Sequence, residues 1–419
     1  MDPMREILSN TIFRKMLLGR IITNIGDSLY FIGAMWVVHE LGGSPFFVGV
    51  ALFLLQLPQT LQFLFGPLVD QWQLKRVFIG SQLLQGTVIL IIPLAMLSET
   101  LSITLLLTII PALSILNQVI YPAQNAALPL IVKDDQIVLA NTLFSLSYRT
   151  SDIAFRALGG MIIAFFGTVT LFILDSVTFL ITAMIFATIS FPSKETNNAN
   201  SEPANPVKKY KREISEGFGY VKRTALLYIV LCAIIGNFAF GISFALLPSF
   251  ADLRGGAGIY GALLSALAAG MLLGSGIASL TDELPLGKTL IVLFSIGTVS
   301  WIGAFHTSSK EWMLVLFALA WVPIGTFSVF KQAMVQNTVP EGLLGRVSST
   351  VQSASVIAYP VGALLGGALG ELFGVISVLT ISGLGFLGVV IMFAFQTRLR
   401  ELPAPNQISK KEILFSKSD

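Results

Sequence analysis

The sequence predicts an all-α integral membrane protein built from twelve transmembrane helices in two six-helix bundles. Three observations carry that expectation. Of the 419 residues, 54% are hydrophobic and only 12% charged, and the mean hydropathy is +0.80, a composition far from that of water-soluble domains. Apolar runs of about 20 residues, the length that crosses a ~30 Å hydrocarbon core, follow one another along the chain. The most polar connection falls near the middle and leaves six runs on each side. Inside lipid only helices or closed barrels satisfy the backbone, and these runs are too long and continuous for barrel strands.

The expected spans are 15–38, 46–69, 77–98, 101–126, 138–165, 167–191, 226–250, 258–280, 289–307, 312–336, 346–371 and 373–396. Span 1 has no small-residue cleavage site after it and reads as a retained helix rather than a signal peptide. It carries Asn24, Asp27 and Tyr30. Asp27 lies roughly 18 Å into the helix and is expected to have no opposite charge within it. Span 2 repeats Gln56, Gln59 and Gln62 every three residues, and span 4 holds Asn117, Gln118 and Tyr121; both could line a polar cavity.

Span 5 is the exception in a chain that otherwise avoids buried charge. Its stretch SLSYRTSDIAFRALGG places Arg149, Asp152 and Arg156 three and four residues apart, on one helix side. With a start near Ile137, Arg149 and Asp152 lie roughly 16 to 23 Å deep. Intramembrane charges face a bundle interior and take partners, so Asp152 can pair with either arginine while Asp27 neutralises the other. A permanently charged arginine beside a carboxylate and the burial of that carboxylate act in opposite directions on its protonation, which makes Asp27, Asp152 and, in span 6, Asp175 candidates for carrying protons. A static salt-bridge cluster fixing span 5 in its half explains the same residues, and packing explains Asp175.

The chain then divides as residues 1–191, a connection at 192–223, residues 224–396, and a tail at 397–419. The connection opens with SKETNNANSEPANP, a flexible-linker composition. It continues with KKYKREISEGFGYVKR, where Tyr210, Ile214, Phe218 and Val221 share a helical face, as in an amphipathic helix lying on the inner membrane surface. In the second bundle Phe240 and Phe244 of span 7, and Trp321 and Phe327 of span 10, would suit a bulky apolar ligand or simple packing. Lys331, near the inner end of span 10, is expected to snorkel. Gly362, Gly366 and Gly370 of span 11 make one smooth face for close helix contact. The lone Cys232 excludes a disulfide within the chain. Outside the spans, Lys and Arg concentrate on one side, with Arg254 and Lys310 the exceptions, so both termini are expected in the cytoplasm.

The two halves repeat each other. Gly159-Gly160 corresponds to Gly366-Gly367, Phe166-Gly167 to Phe373-Gly374, and Phe179 to Phe386, all at one offset. Such duplications place a substrate site near the midplane and alternate access to it by rocking. The loop GPLVDQWQLKR resembles the signature G-x-L-x-D-R-x-G-R-[RK] of the major facilitator superfamily. Gly66, Leu68, Asp70, Lys75 and Arg76 match, whereas Gln71 and Gln73 stand where Arg and Gly are usual. The resemblance implies a gating latch at Gly66, Asp70, Lys75 and Arg76. NIGDSLYFIGAMWVV, ILDSVTFLITA, EISEGFGYVK and VPEGLLGRVSS are similar to the macrolide-efflux-like branch of drug:proton antiporters. Of that superfamily's span 5 antiporter pattern only Gly159-Gly160 remains, with Arg156 in place of Pro, and span 4 lacks the arginine of many proton-coupled relatives.

The resemblance implies a monomeric, multi-pass carrier in a bacterial plasma membrane. Its partners would be membrane lipid, protons and an amphipathic small molecule that is drug-like, macrolide-like or siderophore-like. An uptake symporter or a lipid flippase on the same fold is the alternative. No cofactor, metal site or nucleic-acid partner is expected, since the formal net charge is only +3. His39 and His306 lie far apart near outer helix ends, and the sequence has no HExxH, nucleophile elbow or Walker A pattern, so an enzyme is not expected.

Overall fold

The computed structural model describes residues 3–60, 72–190, 215–281 and 283–404, and these are helical and joined by short turns. The helices of the N-terminal part are α1 (Pro3–Ser9), α2 (Thr11–Gly42), α3 (Pro45–Thr60), α4 (Leu74–Leu97), α5 (Ile103–Gln118), α6 (Ile120–Ile131), α7 (Ile137–Phe166) and α8 (Thr168–Ala187). The C-terminal part contains α9 (Leu226–Arg254), α10 (Ala257–Leu280), α11 (Leu286–His306), α12 (Lys310–Thr338), α13 (Glu341–Val356), α14 (Ala358–Phe373), α15 (Val375–Ser382), α16 (Leu384–Phe395) and α17 (Thr397–Arg400).

Ten of the described helical stretches are long and apolar enough to cross a membrane, with α5–α6, α13–α14 and α15–α16 each counting as one interrupted stretch. The other two expected spans are represented by the shorter apolar helix α3 and by α7, which at 30 residues is roughly 45 Å long but carries three charges. The fold is thus the expected all-helical membrane architecture. Helix α2 starts four residues before the expected span because Asn10 caps it, its side chain accepting from the amides of Ile12 at 3.0 Å and Phe13 at 3.1 Å. Gly43, at φ 62°, ends it.

The chain clusters into two compact units, Met1–Gly43 with Leu54–Glu202, and Ser44–Phe53 with Pro203–Asp419. In the first unit α2 packs on α8 and α7, and α4 packs on α8. Gly159 of α7 lies against Ile32, and the ring of Phe186 fills the space over Gly19. In the second unit α9 packs on α14, α10 on α12, and α11 on α12 and α16.

The glycine face expected on span 11 is present. Gly362, Gly366 and Gly370 lie against Phe238, Ile242 and Leu246, a matching i, i+4 row on α9. A second close pairing was not anticipated: Gly270 and Gly274 of α10 face the carbonyls of Ala318 and Val322, and Thr326 Oγ1 donates to Gly274 O at 2.8 Å. The start of α3 belongs to the second unit through Gly49, which faces Ala363 and Gly367.

Gly66, Asp70, Tyr210 and Ile214 fall outside the described residues, as do 192–214 of the connection and 405–419 of the tail. Lys75 and Arg76 sit exposed in the first turn of α4. Residues 215–222 form a helix that docks on protein rather than lying only on a membrane surface. Tyr220 donates to Thr338 O at 3.0 Å, Glu216 pairs with Arg346, and Val221 is buried, while Phe218 is exposed beneath Lys222.

Candidate functional site: a charged cavity in the first unit and an aromatic one in the second

The first unit encloses a cavity of about 130 Å³ lined by residues of α2, α3, α4, α5, α6, α7 and α8. Asp27, Asp152 and Asp175 all reach it, together with Tyr30, Gln56, Gln59, Asn117, Tyr121 and Arg156. Residues chosen from five separate spans thus meet at one place, because each helix turns its few polar groups inward, away from hydrocarbon.

The three carboxylates have different surroundings. Asp152 is tied down: Arg156 Nε donates to its Oδ1 at 2.6 Å, and Ser28 Oγ lies 3.4 Å from the same oxygen. The Arg156 guanidinium also stacks on Phe31, 3.8 Å from the ring centroid, a contact worth about 0.5–2 kcal/mol. The pair lies within α7, and the stack on Phe31 together with the Ser28 contact ties it to α2. Arg149 takes no part in this pairing and is exposed, so of the two arginines either of which could pair with Asp152 it is Arg156 that does, and the arginine acting on Asp27 is Arg20 rather than Arg149.

Asp175 is fully buried against Gly26, where no side chain could fit beside it. The Thr178 hydroxyl donates to the Asp175 carbonyl at 2.7 Å and lies 3.4 Å from Oδ1, while Oδ2 has no partner among the described residues. Nearby, the Tyr30 hydroxyl is likewise buried without a partner among the described residues. Asp27 accepts one hydrogen bond, from Asn117 Nδ2 at 3.1 Å.

One expectation is corrected here. Asp27 does face an opposite charge within its own helix, Arg20, and a like charge from α7, Asp152. Arg20, seven residues earlier, is two helical turns away on the same face. It is 2% exposed and stacks on Tyr121 at 5.1 Å. The i, i+7 spacing was readable, but Arg20 stands only five residues into the expected span 1, where basic residues commonly mark the interface. Asn24 sits between the two, buried, and lines a second polar cavity beside Arg20.

The second unit holds a cavity of about 230 Å³ with a different lining. Phe240, Phe294, Trp301, Trp321, Phe327 and Phe386 are its aromatic lining, and Ser243, Ser382 and Lys331 are among its polar groups. Phe240 meets Trp321 edge-on at 4.8 Å. Trp301 Nε1 donates to Leu379 O at 2.7 Å, whereas Trp321 Nε1 is buried without an acceptor among the described residues. Lys331 lines this cavity instead of only reaching away along its helix. His306 bonds Thr380 at 3.0 Å, and no cluster able to hold a metal exists among the described residues.

The chain matches the family described as transmembrane secretion effector, of the major facilitator superfamily, over residues 5–417. It is 23% identical to macrolide efflux protein A of Streptococcus pyogenes, covering 92% of this chain and 95% of that protein. It is 24% identical to the enterobactin exporter EntS of Shigella boydii, over 68% of each. Among solved structures it resembles a bacterial homologue of the human lysosomal transporter Spinster, with a TM-score of 0.64 at 14% identity, covering 97% of this chain and 98% of that one.

Proposed function

We propose that this chain, which belongs to the transmembrane secretion effectors of the major facilitator superfamily, exports amphipathic small molecules in exchange for protons by alternating access. The observation that carries the reading is the meeting of Asp27, Asp152 and Asp175 in one membrane-buried cavity, where Asp152 pairs with Arg156. Carboxylates in that setting are costly unless they serve a pathway or a pair. Asp152 has its pair. Asp27, held by one amide and acted on by Arg20, is the group we assign to proton uptake and release, with Asp175 as its buried neighbour.

The aromatic cavity of the second unit is the proposed contact surface for the apolar body of the substrate. The names of the two relatives, macrolide efflux protein and enterobactin exporter, support a bulky amphipathic cargo. Within the same proposal the protein is a monomer in a bacterial plasma membrane, with both termini cytoplasmic. Residues 192–223 then connect the two bundles, and Gly66, Asp70, Lys75 and Arg76 form the latch.

Transport into inverted membrane vesicles with an imposed pH gradient, using dyes, macrolides and siderophores, tests the reading. Uptake only on energisation is the expected result. Gradient-independent exchange would make the protein a facilitator, and uptake driven from the opposite face would make it a symporter.

A further inference from the structure

The buried guanidinium of Arg20 makes no ion pair within 4 Å of a carboxylate among the described residues, although Asp27 feels its charge from further off, and its surroundings indicate what would satisfy it. Its Nη1 is buried and meets no acceptor among the described residues. Removing a cation from water costs several kcal/mol, which stacking on one tyrosine does not repay. Arg20 lines a cavity of about 280 Å³ whose other walls include Asn24, Tyr121, Gln124, Asn125 and Asn141. No carboxylate lines it among the described residues. The cavity therefore offers one fixed positive charge and several neutral amides whose NH2 groups are able to donate.

We infer that this cavity is an anion-binding subsite, in which Arg20 takes the carboxylate or phosphate oxygens of an amphipathic ligand. Arginine suits that role because its planar fork can present two parallel donors to such a group. Tyr121 and Tyr148 border both this cavity and the one holding Asp27, so the two are neighbours with opposite lining charge. An anion seated on Arg20 takes up the charge that otherwise acts on Asp27, which links occupancy of the subsite to the carboxylate proposed to carry the proton. This substrate class rests on the export reading, but the binding site itself does not. The test therefore measures binding without transport.

The experiment is titration calorimetry of the purified protein in a neutral detergent with 2-naphthoate, its uncharged amide 2-naphthamide, and inorganic phosphate. Naphthoate should bind the native protein at least about tenfold more tightly than naphthamide. Arg20→Gln should abolish that preference by bringing naphthoate to the affinity of naphthamide, and Arg20→Lys should keep part of it. Should Arg20→Gln fail to fold, Asn24→Leu provides the second variant: it narrows the cavity beside an intact arginine and should weaken naphthoate selectively. Displacement of naphthoate by phosphatidylglycerol but not by phosphatidylcholine would support the subsite and identify a lipid headgroup as an occupant. Equal affinity for naphthoate and naphthamide in the native protein, or a preference that survives Arg20→Gln, would overturn the proposal.

Discussion

The two repeats carry equivalent positions to opposite chemistry. The offset that takes Gly159 to Gly366 and Phe179 to Phe386 also takes Asp152 to Tyr359, Arg156 to Ala363 and Asp175 to Ser382. Phe179 borders the charged cavity and Phe386 the aromatic one, as do Asp175 and Ser382. Where the first repeat has an ion pair within α7 whose arginine stacks on Phe31 of α2, the second has Tyr359 packed against Phe240 and Phe244, and glycine-to-backbone contact between α14 and α9. The same pair of helices is therefore joined by charge in one unit and by close packing in the other. A duplicated scaffold can keep its helix pairing while the carboxylates that line its cavities are found in one copy, and this is the physical basis for assigning coupling to the first unit and apolar substrate contact to the second.

Carrying the charge across should fail most severely. Tyr359→Asp places a carboxylate where the partner position is Ala363, and an unpaired charge at that depth costs at least ~2.5 kcal/mol. Loss of folded protein in size-exclusion chromatography is expected. Ala363→Arg cannot rescue it, because Ala363 is fully buried and faces Gly49 and Gly241. Gly366→Leu should be the next largest effect, since a side chain there meets the α9 backbone at Ile242; overpacking of this kind costs about 1–3 kcal/mol, read as a lower unfolding temperature.

Asp152→Asn should leave Arg156 stacked on Phe31 but uncompensated, lowering thermal stability by a similar or smaller amount while ligand binding survives. A stable but uncoupled Asp152→Asn protein would reverse the roles given to Asp152 and Asp27. Trp321→Ala opens the aromatic cavity and should raise the KM for transported dye several-fold without changing the pH dependence of transport. Glu6→Gln should do least. Lys133 beside Glu6 holds its carboxyl below the usual glutamate range. A lowered value means that its contribution is present above the ordinary glutamate range and lost as pH falls through the lowered one. Both side chains are solvent-accessible, so the substitution should remove only a slight acid-side slope in unfolding temperature.

Much of this arrangement was legible in the residues, and the rest was hidden for identifiable reasons. The spans announced themselves by length and apolarity, and the Gly362, Gly366 and Gly370 stripe by its spacing of four. Arg149 and Arg156 were indistinguishable as partners of Asp152, since i−3 and i+4 both reach it; Phe31, from another helix, helps hold Arg156, and sequence spacing cannot reveal such a contact. Arg20 was hidden by its position near a helix start that Asn10 moves outward by one turn. The breaks at Val119, Ile357 and Gly383 give no consistent residue signal. The docking of 215–222 depends on Thr338 and Arg346, more than a hundred residues away in sequence.

The central claim is that Asp27 carries the exchanged proton, and proton release on ligand binding tests it most directly. Purified protein in weakly buffered detergent solution, near the pH of half-maximal transport, is mixed with the compound transported in vesicles, and the pH change is recorded with an indicator dye. The native protein should release protons in proportion to ligand bound. Asp27→Asn should bind the same compound and release none. Release of the same number of protons by Asp27→Asn would contradict the assignment and move the coupling site elsewhere in the cavity.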